Sequence, residues 1–89
     1  MTATPQPDQI RKLVLQVFGE LGVNAAQLLE MNETIFVKNR RYLARSYRAG
    51  GLMAMWLIDL GVLQFYAADG RMLRTINLFH EMEPQKAAA

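Results

Sequence analysis

From Thr34 to Leu78 the chain never runs far without a turn signal, and no other feature limits its possible folds so tightly. Punctuation falls at Asn39-Arg40, Gly50-Gly51, Asp59-Leu60-Gly61 and Ala68-Asp69-Gly70, leaving strand-like segments at about 34–38, 41–49, 52–58, 62–67 and 71–78. Gaps this short cannot hold the crossovers that parallel strands need, so consecutive segments must pair antiparallel. Gly50-Gly51 pins the centre. Two residues without a Cβ accept the positive φ angles of a two-residue hairpin, here joining the tyrosine- and arginine-rich Arg41–Ala49 to the apolar Leu52–Ile58. The pattern predicts a five-stranded antiparallel meander.

Ahead of the strands the period is helical. Ile10, Leu13, Val14, Val17, Phe18 and Leu21 fall on one stripe, with Asp8 as N-cap or first-turn acid and Gly22 as the stop. Asn24 can cap a short second helix running to Glu30, with Ala25, Leu28 and Leu29 turned inward. The predicted fold class is therefore α+β: two N-terminal helices packed on one face of a five-stranded antiparallel β-meander. The 89 residues suffice for one modest core. Residues 1–7, with Pro5 and Pro7, read as a disordered lead, 8–79 as a single domain and 80–89 as a frayed tail.

The residue inventory narrows the chemistry. With no cysteine there is no disulfide framework, thiolate nucleophile or sulfur-ligated zinc. His80 is the single histidine, and Asp59 and Asp69 sit in turns, where aspartate is at home through local hydrogen bonds. No nucleophile with a base, paired carboxylates or phosphate-cradling glycine loop is present, so the expectation is a protein that is not an enzyme and takes no cofactor or metal. Met1 to Asp8 lacks a basic segment followed by an apolar run, and together with the absent cysteines this points to the cytoplasm. Ala49 to Ala68 holds a single charge and competes as a membrane span. Asp59 near its middle would cost about 2.5–3.5 kcal/mol on insertion, and its glycines break the helix, so a strand reading is preferred.

Turn lengths assign the sheet's two sides, because side chains alternate along a strand. With two-residue turns at Asn39-Arg40 and Gly50-Gly51 and a three-residue loop at Asp59-Leu60-Gly61, one side carries Ile35, Val37, Tyr42, Ala44, Met53, Met55, Leu57, Leu63 and Phe65. This nearly pure hydrocarbon side is the expected core. The other carries Phe36, Lys38, Arg41, Leu43, Arg45, Tyr47, Ala54, Trp56, Ile58, Val62, Gln64 and Tyr66, with Arg45 directly opposite Trp56. The side of Leu73 and Arg74 stays open, since it turns on whether the Asp69-Gly70 loop has two or three residues. So much contiguous grease on the second side calls for a cover, most simply a second copy of the chain or another protein. Its expected contact residues are Phe36, Arg41, Leu43, Arg45, Tyr47, Trp56 and Tyr66. On that assignment Trp56→Ala would weaken association, and changes at Met55 or Leu57 would destabilise the monomer.

Charge supplies the alternative. The net charge is only +2, yet Lys38 to Arg74 holds seven of the ten basic residues against two acids. Lys38, Arg40, Arg41, Arg45 and Arg48, interleaved with Tyr42, Tyr47 and Trp56, could track phosphates while rings stack on unpaired bases, as single-stranded nucleic-acid binders do. Finally, a helix followed by FVKNRRYLARSYRAGG, MWLIDLGVLQFYAADG and RMLRTINL resembles small bacterial proteins of unknown function, most in the tryptophan-bearing strand and the F-Y-x-x-D-G turn. That resemblance implies no activity, cofactor or binding residue.

Overall fold

The computed structural model describes residues 6–81. The rest of the expected lead (1–5), the tail over 82–89 and the side chains of Tyr42, His80 and Glu81 lie outside the described residues. The elements are α1 (Pro7–Glu20), α2 (Ala25–Leu29), β1 (Asn32–Lys38), β2 (Arg41–Ala49), β3 (Leu52–Leu57), β4 (Val62–Tyr66), β5 (Met72–Asn77) and α3 (Leu78–Glu81). One sheet holds all five strands in the order β1-β2-β3-β4-β5, each pair antiparallel. The α+β meander is thus the one the turn spacing requires.

Helix α1 starts earlier than the composition suggests. Pro7, with its φ fixed and no N–H to satisfy, takes the first position, and the Gln6 N–H donates to the Gln9 side-chain oxygen at 2.8 Å. The last two residues of the expected lead therefore belong to the helix entry, and Asp8 is the first-turn acid. Ile10, Val14, Val17 and Phe18 are buried as the stripe demands. The helix ends where Gly22 turns to φ +105°, with the Val23 N–H donating to the Phe18 carbonyl at 2.9 Å and the Gly22 N–H to the Gly19 carbonyl at 3.1 Å. Asn24 then caps α2, accepting from the Gln27 N–H at 2.9 Å. Of the three residues expected to turn inward, only Leu28 packs on the core, while Ala25 and Leu29 are exposed. A five-residue helix presents only one narrow side to its neighbour, and Leu29 lies about 100° further round from Leu28.

Both two-residue hairpins form as read, with positive φ at Asn39, Arg40, Gly50 and Gly51. Arg45 pairs with Trp56 as expected. The next loop does not match. Leu57 pairs with Val62, so four residues, Ile58 to Gly61, make the connection in place of three. Gly61 is required there: its φ is +64°, and a Cβ would stand 2.6 Å from the Phe79 ring. Register shifts add an unpaired Leu43 between β1 and β2 and an unpaired Leu73 between β4 and β5.

That extra loop residue reassigns the sides. Trp56 now lies opposite Leu63, and Ala54 lies between Tyr47 and Phe65, so these side chains share one side, and it is the side beneath the helices. Ile35 joins them opposite Arg45. Met53, Met55 and Leu57, expected in the core, occupy the other side, which no element among the described residues covers. The energetic reason is area and desolvation. Each aromatic ring brings roughly 150–250 Å² of surface to bury, whereas covering the opposite side would enclose Arg48, Gln64 and Thr75. In the core the Phe18 and Phe65 rings meet edge to face, 5.6 Å between centroids at 82°, a contact worth about 0.5–1.5 kcal/mol beyond burial. The open question on β5 is settled by pairing: Arg74 lies opposite Phe65 and Ile76 opposite Leu63, both on the helix side. Helix α1 is also tied to both sheet edges, by Arg11 to Glu33 of β1 at 2.9 Å and by Glu20 to Arg74 of β5 at 2.7 Å. The hydrogen bond from Arg74 holds the Glu20 carboxyl below its usual range.

Candidate interaction surface

The uncovered side is built from three rows that run across the strands. One is Phe36, Ala44, Leu57, Val62 and Asn77; the middle one is Thr34, Ser46, Met55, Gln64 and Thr75; the third is Asn32, Arg48, Met53, Tyr66 and Met72. The first row is nearly all apolar, the second mostly polar and the third mixed. Met53, Met55, Leu57, Val62 and Tyr66 are half-buried by one another, and Tyr66 donates its hydroxyl hydrogen to the Gln64 side-chain oxygen at 2.6 Å. Methionine here provides a surface that can reshape itself to a partner. At the Gly50-Gly51 end the face runs into an open cleft of about 860 Å³, bordered by Arg48, Met53 and Tyr66 and by Glu30.

The face is continuous with β1, the edge strand. Ile35, Phe36 and Val37 are 43%, 45% and 56% exposed, so three successive apolar side chains project to both sides of the strand. Leu43, pushed out by the bulge on β2, is exposed beside them.

The expected contact residues divide. Phe36 and Tyr66 lie on the uncovered face, Leu43 beside the edge, and Arg41 at the first hairpin, where it stands 3.8 Å from Asp59. Arg45, Tyr47 and Trp56 are corrections. All three point to the helix side; Tyr47 is 0% and Trp56 3% exposed, and Arg45 donates to Glu33 at 2.7 Å. Tyr47 and Trp56 cannot meet a partner without the helix layer lifting away, and the Arg45 guanidinium is engaged by Glu33. Met53, Met55 and Leu57 take their place on the face. The cations of the nucleic-acid alternative divide as well. Lys38, Arg40 and Arg41 gather at one hairpin, Arg48 lies at the far end of β2, and Arg45 is on the opposite side.

Beneath α1, Glu33 accepts from both Arg11 and Arg45. The Tyr47 hydroxyl is enclosed nearby and has no hydrogen-bond partner among the described residues. Burial first, and the neighbouring Glu33 carboxylate second, push its pKa well above the ordinary tyrosine value of about 10. The unfolded chain therefore loses this proton before the folded one does. The contribution of Tyr47 to stability is complete below about pH 10 and is lost as pH climbs further, at up to about 1.4 kcal/mol per pH unit. Tyr47→Phe should raise stability at pH 7 by about 1–3 kcal/mol, because it removes an enclosed hydroxyl that has no hydrogen-bond partner. It should also flatten the alkaline decline between about pH 10 and 11.5 in urea titrations. An identical decline in the variant would show that the hydroxyl is not enclosed.

Fold and surface together define an α+β domain whose antiparallel sheet, among the described residues, is helix-covered on one side only. No protein-family model, curated protein or solved structure matches the chain. No helix among the described residues is long and apolar enough to cross a membrane, and the rival span Ala49 to Ala68 is occupied by β3, β4 and their connections.

Proposed function

We propose that the protein is an interaction module that works by self-association, with the uncovered side of the sheet and the adjoining β1 edge as its contact surface. One observation carries this reading: Phe36 stands exposed at the meeting point of the apolar row Phe36, Ala44, Leu57 and Val62 and an edge strand that is apolar on both sides. Soluble monomers rarely leave apolar groups contiguous over such a span. A second copy is the simplest cover, since a two-fold axis matches a patch with itself.

Single-stranded nucleic acid has less geometric support, because a phosphate track needs its cations along one path and these are spread over two sides and two ends of β2. Size exclusion with light scattering at 10 and 200 µM, on the order of typical association ranges, tests the main reading. The expected result is a dimer or larger assembly at the higher concentration, reduced to monomer by Phe36→Lys with the circular dichroism unchanged. A monomer throughout overturns it. Fluorescence anisotropy of a mixed single-stranded oligonucleotide should show no binding at low salt, and salt-sensitive binding there would reassign the surface to nucleic acid.

A further inference from the structure

We infer that two copies join edge to edge, β1 pairing antiparallel with β1 of a second copy about a two-fold axis through Ile35 to make one continuous sheet. The inference rests on the self-association reading and names its geometry. Strand β1 is seven residues long and lies at the end of the strand order, so one side of its backbone hydrogen-bonding capacity is unused by the sheet. Native edge strands are commonly blunted by a central charge, a proline or a bulge. Between Glu33 and Lys38 there is neither charge nor proline: the residues are Thr34, Ile35, Phe36 and Val37, and the extra residue at the Phe36/Val37 register shift is Leu43 of β2. Three successive exposed apolar side chains are the composition of an interior strand. The opposite edge looks different. β5 carries the unpaired Leu73 and the polar Thr75 and Asn77, and Arg74 is spent on Glu20.

Charge polarity selects the second copy as occupant and the antiparallel direction. The chain enters β1 past Glu30 and leaves it through Lys38, Arg40 and Arg41, while Glu33 within the strand is already paired with Arg11 and Arg45. Antiparallel pairing sets the acidic entry of each copy against the basic exit of the other, twice; parallel pairing would set like against like. A two-fold axis normal to the sheet keeps faces matched, so residues opposite each other must share a side. The register that uses the whole strand centres on Ile35, places Asn32 opposite Lys38 of the second copy and brings Glu30 level with its Arg40. Glu33 remains held by Arg11 and Arg45 on the helix side. Both helix layers then lie on one side, and the two apolar faces merge on the other.

The cysteine-free chain makes the test direct. In an antiparallel pair, opposed Cα atoms stand about 4.5–5.5 Å apart, within the span of a disulfide. Ile35→Cys, oxidised mildly with copper phenanthroline, should convert most of the chain to a covalent dimer of the same mass as the unoxidised assembly. Thr75→Cys on β5 and Leu57→Cys on the face should stay uncross-linked. Cross-linking at Leu57→Cys but not at Ile35→Cys would mean face-to-face stacking, which overturns the edge geometry and leaves self-association standing. Association by light scattering with no cross-link at any position would also overturn it. A parent chain that stays monomeric removes the functional reading and the edge pairing together.

Discussion

Trp56→Ala is expected to lower the unfolding free energy by about 3–5 kcal/mol, whereas Met55→Ala, its neighbour on β3, should cost roughly 1 kcal/mol or less. The contrast follows from which side of the sheet each occupies. Trp56 is 3% exposed and packs in the cluster that joins Tyr47, Leu63 and Phe65 to α1, so truncation leaves a cavity that its neighbours cannot fill. Met55 is half-exposed between Ser46 and Gln64 and loses mainly solvent-facing contact. For a domain of this size, total stability at 0.05–0.15 kcal/mol per residue is roughly 5–13 kcal/mol, so Trp56→Ala would bring the fold close to its limit. Urea unfolding in a Phe36→Lys background separates this effect from association. Equal losses at the two positions would mean that the helices do not sit on the tryptophan side. The turn pattern alone leads to the opposite expectation, with Trp56 mattering for contact and Met55 and Leu57 for the fold.

That reversal shows what the residue pattern could and could not convey. Turn chemistry is local, and it was legible: Asn39-Arg40 and Gly50-Gly51 carry the positive φ values that two-residue hairpins demand, and the strand order follows from their spacing. The α1 stripe was legible for the same reason. Side assignment is not local. A single added residue in the Ile58 to Gly61 connection flips Leu63 and Phe65 relative to Met55 and Leu57, and the unpaired Leu43 does the same to Ile35. Neither has a signature of its own, since Gly61 fits a three- or four-residue loop equally. A signal was nonetheless present in the polar row. Once Gln64 is placed with Thr75, burying that side would strand both polar groups, and the helices take the other. The side assignment was therefore half-legible: Phe36 and Tyr66 lie on the uncovered side, while Tyr47 and Trp56 belong to the core and Arg45 holds Glu33.

Glu33→Ala should be the most damaging substitution of a charged residue, at about 2–3 kcal/mol, and it should weaken self-association as well. Its carboxylate accepts from Arg45 at 2.7 Å and from Arg11 at 2.9 Å. The first pair is well covered, the side chains of Arg45 and Glu33 being 19% and 21% exposed, and hydrogen bonds to charged partners in such places are worth about 1.5–3 kcal/mol. Arg11 is about half exposed, so solvent screens its share to under about 1 kcal/mol. Without the carboxylate, the Arg45 guanidinium is left beneath α1 with its charge uncompensated, which is costlier than losing the contact itself. Arg11→Ala should accordingly cost less than 1 kcal/mol or so, and raising salt to about 1 M should erase that smaller difference and leave most of the larger one. A double-mutant cycle on Glu33 and Arg45 measures the coupling, and a value near zero would show that the pair does not hold the edge. On the proposed edge pairing the link is mechanical: Glu33 fastens the start of β1 to the helix layer, and an edge strand can template a second copy only if it is held straight. Glu33→Ala should therefore raise the concentration needed for association even where the domain is still folded, while Glu20→Ala, which frees the opposite sheet edge, should leave it unchanged.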